Sequence, residues 1–307
     1  MNLIVILGAT ATGKTILAAN LAYKINGEII SADSRQVYKG MDIGTGKDIE
    51  DYIVNGTPIK HHIIDIVQAG YEYSVYEFQK DFKKAYSEIT SKEKTPILCG
   101  GSGMYIESVL NSYNLINVPV NEKFRKELSD KPDEELINLL KSKKELHNKT
   151  DITDRNRLLR ALEITCYYEE HSGTNKNETI RDYTIFGIKL EREVLREKIT
   201  ERLTKRLNCG LIDEVRNLLE AGITSDKLKY YGLEYKYISS YLINEISYED
   251  MFKLLNTAIH QFAKRQETWF RRMEKNGFNI KWIDGKLSLQ EKLNQIFSYN
   301  NFVSHNE

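Results

Sequence analysis

The clearest pattern of apolar and polar positions lies at the start of the chain. Leu3-Ile-Val-Ile-Leu7 is a continuous apolar run, as expected of a strand buried on both faces. Ile16-Leu-Ala-Ala-Asn-Leu-Ala22 follows with helical spacing. It predicts a helix over 15–25, with Gly27 as the C′ residue that stops it. Glu28-Ile-Ile-Ser-Ala-Asp33 reads as a short apolar strand ending in an acid. Ser74 and Glu77 form a capping box ahead of a helix whose apolar positions are Val75, Phe78, Phe82, Ala85 and Ile89. Pro96-Ile-Leu-Cys99 is a third buried-type strand, closed by Gly100-Gly-Ser-Gly103, and another helix starts near Met104. This alternation predicts an α/β fold with a parallel sheet and helices on both faces.

After about residue 113 the character changes. Segment 114–182 is charged and helical, with few strand signals and a polar loop at 172–178. Tyr183-Thr-Ile-Phe-Gly-Ile-Lys-Leu190 then reads as a strand returning to the sheet. Helices follow over about 192–209 and 211–221, stopped by Gly210 and Gly222, and a long one spans about 248–276. The tail after 286 is amphipathic, then polar. The expected organisation is one core, 1–113 with 183–307, interrupted by a helical insertion domain, 114–182.

Composition changes this picture little. The 307 residues carry a formal net charge of zero, so nothing global draws the chain to nucleic acid. Charge is concentrated locally, at Lys264-Arg265 and at Arg271-Arg272-Met-Glu-Lys275. The Tyr-rich stretch 230–241 is read as composition, not as a stacking platform. Cys99, Cys166 and Cys209 are too dispersed for a disulfide framework or a zinc site. With no signal-peptide pattern and no membrane span, a cytoplasmic setting and no membrane partner are expected. His61 and His62, adjacent on a strand, point to opposite faces and cannot easily share a metal ion.

The strongest chemistry sits between the first strand and helix. Gly8-Ala-Thr-Ala-Thr-Gly-Lys-Thr15 is a phosphate-binding loop in its required strand–loop–helix context. Its glycines let several backbone N–H groups converge on one anion, and the following helix adds its positive end. Lys14 supplies charge, and Thr15 is placed to ligate Mg²⁺. Asp33, past the second strand, should face the same crevice and act as general base or metal ligand. The strand at 97–99 ends in glycines and a serine where a phosphoryl-transferring P-loop enzyme carries an aspartate, which argues against ordinary ATPase chemistry. Ile63-Ile64-Asp65 is the other apolar run ending in an acid and a second candidate for that position.

Cations supply the rest. Lys198, Arg202 and Arg206 form a basic stripe, from which Arg202 could reach the loop's anion; a solvated face is the alternative. Asp154 is placed to cap a helix bearing Arg155, Arg157 and Arg160, for RNA phosphates or for salt bridges. On the last long helix Phe262, Trp269 and Met273 read as core, while Lys264, Arg265, Arg271 and Arg272 can face a polyanion.

Together these residues resemble the tRNA dimethylallyltransferases, or tRNA isopentenyltransferases. The motifs appear in family order. They are the loop at 8–15, Ile30-Ser-Ala-Asp-Ser-Arg-Gln-Val-Tyr-Lys-Gly-Met-Asp-Ile-Gly-Thr45, His61-His-Ile-Ile-Asp65, Gly100-Gly-Ser-Gly-Met-Tyr105, Arg157-Leu-Leu-Arg-Ala-Leu-Glu163 and Ala263-Lys-Arg-Gln-Glu-Thr-Trp-Phe-Arg271. The resemblance implies a P-loop nucleoside-triphosphate-hydrolase-like core. It implies transfer of a dimethylallyl group from dimethylallyl pyrophosphate to N6 of the adenosine 3′-adjacent to the anticodon, by a monomer using Mg²⁺. In that reading Gly8, Ala9, Thr10, Ala11, Thr12, Gly13, Lys14 and Thr15, with Arg202, hold the pyrophosphate, and Asp33 is the base. Ser34, Arg35, Gln36 and Ser102 lie in base-contacting motifs. Arg125, Arg157 and Arg160 of the insertion would meet the tRNA anticodon stem-loop, with Lys264, Arg265 and Gln266 on the long helix.

The chain departs from the family pattern at several places. Ala9 replaces proline, and Gly46-Lys47-Asp48 replaces Ala-Lys-Pro. Thr153 replaces an asparagine, Tyr231-Gly-Leu-Glu-Tyr235 replaces Ile-Gly-Tyr-Lys-Glu, and Ile259-His260 replaces Thr-Arg. The absence of a C-terminal Cys/His zinc finger suits the bacterial form. The alternatives are an adenylate isopentenyltransferase acting on free AMP, ADP or ATP, a P-loop small-molecule kinase, and a non-catalytic RNA-binding module.

Overall fold

A computed structural model describes residues 2–143, 152, 154–171, 180 and 182–299. The polar loop expected at 172–178, and Thr153, lie outside the described residues. The chain divides into two compact units, Met1–Ser112 with Thr179–Glu307, and Tyr113–Glu178.

The first unit begins with β1 (Leu3–Gly8), α1 (Lys14–Lys24), β2 (Gly27–Ser31), β3 (Tyr38–Lys39), a 3-10 turn (Ile49–Tyr52), β4 (Ile53–Val54), β5 (Thr57–Pro58), β6 (His61–His62), β7 (Val67–Gln68), α2 (Val75–Thr90), β8 (Thr95–Gly100) and α3 (Gly103–Leu110). The second unit holds α4 (Glu122–Glu127), α5 (Asp133–Lys143) and α6 (Arg155–Glu170). The first unit resumes with β9 (Tyr183–Lys189), α7 (Arg192–Asn208), α8 (Leu211–Glu220), α9 (Ser225–Tyr231), α10 (Leu233–Leu242), α11 (Tyr248–Lys275), β10 (Ile280–Asp284) and α12 (Leu289–Tyr299).

The main sheet has the order β10-β9-β1-β8-β2-β6, and its pairings are all parallel. The apolar run of β1 explains its central place. Successive side chains on a strand point to opposite faces, and both faces here are covered. Leu3, Val5 and Leu7 enter the core shared with α2, α3, α7 and α11. Ile4 and Ile6 enter the core shared with α1 and α12. The expected α/β P-loop-like architecture holds.

Local departures have local causes. α1 stops at Lys24, and Asn26, not Gly27, takes the left-handed conformation, with φ 51°. Gly27 opens β2 instead, where a Cβ would lie 2.9 Å from the Thr95 carbonyl oxygen. The Tyr-rich stretch folds into α9 and α10, with Tyr231 and Tyr235 fully buried. β10 went unread, because the five-residue Ile280-Lys-Trp-Ile-Asp284 alternates too briefly to signal a strand. The capping box at Ser74 is present, with both of its hydrogen bonds. Phe262, expected in the core, is exposed; the inward face of α11 runs through Ile259, Ala263, Gln266, Phe270 and Met273.

In the second unit Leu128, Leu136, Leu140, Leu158 and Leu162 form a small core between its helices. Asp154 caps α6 by accepting from the Arg157 N–H.

Candidate active site

In a parallel sheet, ligands bind beyond the carboxyl ends of the strands. Three such ends converge in the first unit, at residues 8–15 after β1, at Asp33 after β2 and at Gly100–Ser102 after β8.

The phosphate loop is drawn tight by its own residues. Ala11 and Gly13 take positive φ values of 62° and 79°. The Thr12 hydroxyl donates to the Ala9 carbonyl at 2.8 Å, and Lys14 Nζ reaches the same carbonyl at 3.3 Å. Thr12 therefore shapes the loop from within. Burial pushes the Lys14 amine below the ordinary lysine value, with Asp33 among the groups opposing the shift and Arg202 and Arg206 adding to it. A half-buried cation beside converging N–H groups is suited to a polyanion. Thr15 stands in the first turn of α1.

Asp33 is held by a local turn in which its Oδ1 accepts from the Arg35 N–H at 3.1 Å. A second tie runs to the end of β8, where Ser102 Oγ accepts from the Ser34 N–H at 3.1 Å. The close approach of these segments requires Gly100, where a Cβ would come within 2.2 Å of the Ala32 carbonyl oxygen. The Arg35 guanidinium lies 5.3 Å from the ring centroid of Tyr230, an exposed aromatic.

Arg202, on α7, reaches the loop. Its Nη1 lies 3.3 Å from Thr10 Oγ1, and its Nη2 lies 2.8 Å from Asp48 Oδ2. Arg206, one turn on, meets the same Asp48 oxygen at 3.1 Å. The basic stripe is therefore not a solvated face at these two positions. Burial works to raise the Asp48 carboxyl, but Arg206 and Arg202 outweigh it and hold the group below the ordinary value.

Several expected contacts are placed otherwise. Gln266, expected at the tRNA with Lys264 and Arg265, lies on the inward face of α11, whereas those two are exposed. It accepts from the Thr10 N–H at 2.8 Å and donates to the Gly101 carbonyl at 3.0 Å. Gln36 is also buried, accepting from Ser31 Oγ at 2.8 Å and donating to the Gly46 carbonyl at 3.1 Å. Both amides are hydrogen-bonded within the scaffold. Asp65 does not stand at the phosphate loop. It follows edge strand β6 and pairs with the buried Lys47. Arg272 and Trp269 both donate to the buried Glu107, each at 2.8 Å.

Within the second unit, Arg125 forks onto the buried Glu163 at 2.7 and 2.9 Å, and Arg160 adds a third contact at 3.0 Å. For Arg160 the salt-bridge alternative is the one realised, and Arg125, expected at the tRNA, is engaged in an ion pair within the unit. Arg157 is exposed on the first turn of α6.

In the sequence Asp48 stands out only as a departure from the family pattern. No local pattern signals its partners, which lie 154 and 158 residues away.

Loop, arginine and carboxylate at the ends of parallel strands define an α/β protein of the phosphate-loop class. Residues 36–273 match the IPP transferase family profile, and the chain belongs to that family. It is 52% identical over 297 residues to tRNA dimethylallyltransferase 2 of Phocaeicola vulgatus, covering 97% of each chain. With the enzyme of the same name from Bacteroides fragilis it shares 53% over 293 residues, covering 95% of this chain and 96% of that one. Among solved structures it is similar to a tRNA isopentenylpyrophosphate transferase from Bacillus halodurans, with TM-score 0.71 and 31% identity over 97% of this chain and 95% of that one. It is also similar to a tRNA isopentenylpyrophosphate transferase from Staphylococcus epidermidis, with TM-score 0.69 and 36% identity over 97% and 98%. The chain is accordingly an enzyme, a prenyltransferase.

Proposed function

We propose that this enzyme transfers the dimethylallyl group of dimethylallyl pyrophosphate to N6 of the adenosine 3′-adjacent to the anticodon of tRNA, releasing pyrophosphate. The observation that carries the reading is the contact of Arg202 with Thr10 at the rim of the phosphate loop, with Asp33 at a neighbouring strand end. The loop amides, Lys14 and Arg202 hold the diphosphate and stabilise the charge that grows on it as the allylic C–O bond breaks. An adenine amino nitrogen is a weak nucleophile, because its lone pair is delocalised into the ring. Asp33 accepts its proton as the C–N bond forms, a contribution of ~10²–10⁴-fold. The target base must leave its stack to reach Asp33.

The donor set at the loop suits Mg²⁺. Thr15 offers one hydroxyl, and no group of three His, Cys, Asp or Glu able to hold a metal occurs among the described residues. A cation that takes its other ligands from phosphate oxygens and water fits such a site. When bound, it would neutralise part of the leaving charge.

Arg157, Lys264 and Arg265 are exposed and suited to tRNA phosphates. The free cysteines fit a reducing cytoplasm. No helix among the described residues is long and apolar enough to cross a membrane.

The test offers labelled dimethylallyl pyrophosphate with unmodified tRNA, AMP or ATP as acceptor. Label is expected in tRNA. Label in AMP with none in tRNA would move the protein to the adenylate-prenylating class, and ATP consumption without prenyl transfer would mark it as a kinase.

A further inference from the structure

We infer that Asp48 is a positioning residue for the diphosphate end of the donor, acting through Arg202, which it holds at Nη2 while Nη1 faces Thr10 of the phosphate loop. This rests on the diphosphate reading of that loop.

The geometry is asymmetric in a useful way. A guanidinium carries five N–H donors in a rigid plane, so it can bind one acceptor on each of two edges. Nη2 of Arg202 is committed to Asp48 Oδ2 at 2.8 Å, while Nη1 points to Thr10 Oγ1 at 3.3 Å. The second contact is long for a hydrogen bond and is made to a hydroxyl, so a phosphate oxygen arriving at Thr10 offers Nη1 a stronger acceptor. Asp48 thus fixes one edge of the fork and leaves the other aimed at the loop. Without it, Arg202 and Arg206 would be neighbouring like charges one helical turn apart, with every reason to splay.

The loop that carries Asp48 is built for this contact. Gly46 has a φ of +69°, and a Cβ there would lie 2.5 Å from Arg202 Nη2 and 2.2 Å from Arg206 Nη2. The arginines therefore pass directly over a glycine to reach the carboxylate. Gly46 provides the room and Asp48 the charge. The loop is anchored from α8, where the Glu214 carboxylate accepts the N–H groups of Asp42, Ile43 and Gly44 at 2.9, 2.6 and 3.0 Å. Lys47 is buried and pairs with Asp42 and Asp65. Asp48 is thus presented on a fixed platform and not on a free loop.

The experiment compares wild type, Asp48→Asn, Arg202→Ala and the double variant. It measures KM for dimethylallyl pyrophosphate, KM for tRNA, and the Kd of inorganic pyrophosphate by calorimetry. Asp48→Asn is expected to raise the donor KM and the pyrophosphate Kd about ten-fold and leave the tRNA KM unchanged. In the Arg202→Ala background the same change is expected to cost less than two-fold, because Asp48 acts through Arg202. Asp48→Glu keeps the charge with a longer arm and should recover most of the loss. It also serves as the test variant, with a donor KM about three-fold above wild type, should Asp48→Asn not fold. An unchanged or lowered donor KM in the folded Asn variant overturns the inference, and so does a full ten-fold loss in the Arg202→Ala background. If wild type binds no pyrophosphate, the diphosphate reading itself fails and takes this inference with it. If wild type binds and Asp48→Asn binds equally well, only the role of Asp48 fails.

Discussion

The Gln266 side chain accepts the Thr10 N–H at 2.8 Å across 256 residues of sequence, and its amide nitrogen donates to the Gly101 carbonyl at 3.0 Å. One amide thus spans the ends of β1 and β8. The fit is close, since a Cβ at Gly101 would lie 2.2 Å from Gln266 Nε2. Replacing Gln266 by Ala leaves both backbone groups without this partner, a cost of about 1–3 kcal/mol for each that stays dry. Gln266→Ala should raise the donor KM several-fold, lower the melting temperature and leave tRNA affinity unchanged. Filter binding of tRNA beside steady-state kinetics checks this. A selective loss of tRNA affinity would return Gln266 to the RNA-contacting set.

Asp33→Ala should remove transfer, with a loss of at least ~10²-fold, while tRNA affinity stays within a few-fold. Asp33→Asn, which keeps the hydrogen bond from the Arg35 N–H, should be equally inactive if proton acceptance is the role. Single-turnover assays decide it, and a near wild-type rate in either variant would falsify the base assignment.

Lys14 gives a pH signature. Burial lowers its pKa, so the free enzyme loses this charge at a pH below the ordinary value of 10.5. An anion prefers the protonated form, so pyrophosphate affinity should fall as pH rises through the lowered value. Pyrophosphate itself gains charge as pH rises. The ratio of wild-type to Lys14→Arg affinity isolates the lysine, because arginine stays protonated throughout. A ratio constant up to pH 10 counts against a role for Lys14 at the anion.

The arginines of the second unit should separate. Arg157→Ala should weaken tRNA binding, reduce the salt dependence by about one ion released and leave the melting temperature unchanged. Arg125→Ala takes two hydrogen bonds from the buried Glu163 and should destabilise the unit by about 1–3 kcal/mol. Thermal melts and tRNA binding at two salt concentrations distinguish the two effects.

Glu28, buried at the start of β2, contacts Lys94 at 2.8 Å and His62 at 2.7 Å. Burial works to raise its carboxyl, but these hydrogen bonds outweigh it and hold the group below the ordinary value of 4.5. The stability it contributes is complete above the unfolded value and is lost as pH falls through the lowered folded one. Glu28→Gln should cost about 1–3 kcal/mol at pH 7, with the gap to wild type narrowing below pH 4.5. Denaturant melts across that range check both statements.

The sequence made the strand–loop–helix unit legible because its signals are contiguous. β1 is one apolar run, and the loop is a fixed spacing of glycines and a lysine. Arg202 was reachable as a member of an i, i+4 stripe. What stayed hidden was long-range pairing of short polar side chains. Gln266 and Gln36 sit in motifs beside cations, and only the inward phase of α11 and the turn after β2 reveal that their amides are internal. Asp48 looked like a bare substitution until α7 lay across it. β10 was too short for its alternation to register.

The order of the sheet bears on how the enzyme comes into being. β1 leaves the ribosome well before its neighbours, β8 at residues 95–100 and β9 at 183–189. Thr10 meets Arg202 and Gln266 later still. Contacts so distant in sequence carry a large loop-closure cost before they return anything. The phosphate loop is therefore made well before the segments that complete it. A nascent chain released short of α11 would carry the whole motif and lack the Gln266 tie that joins its loop to the end of β8.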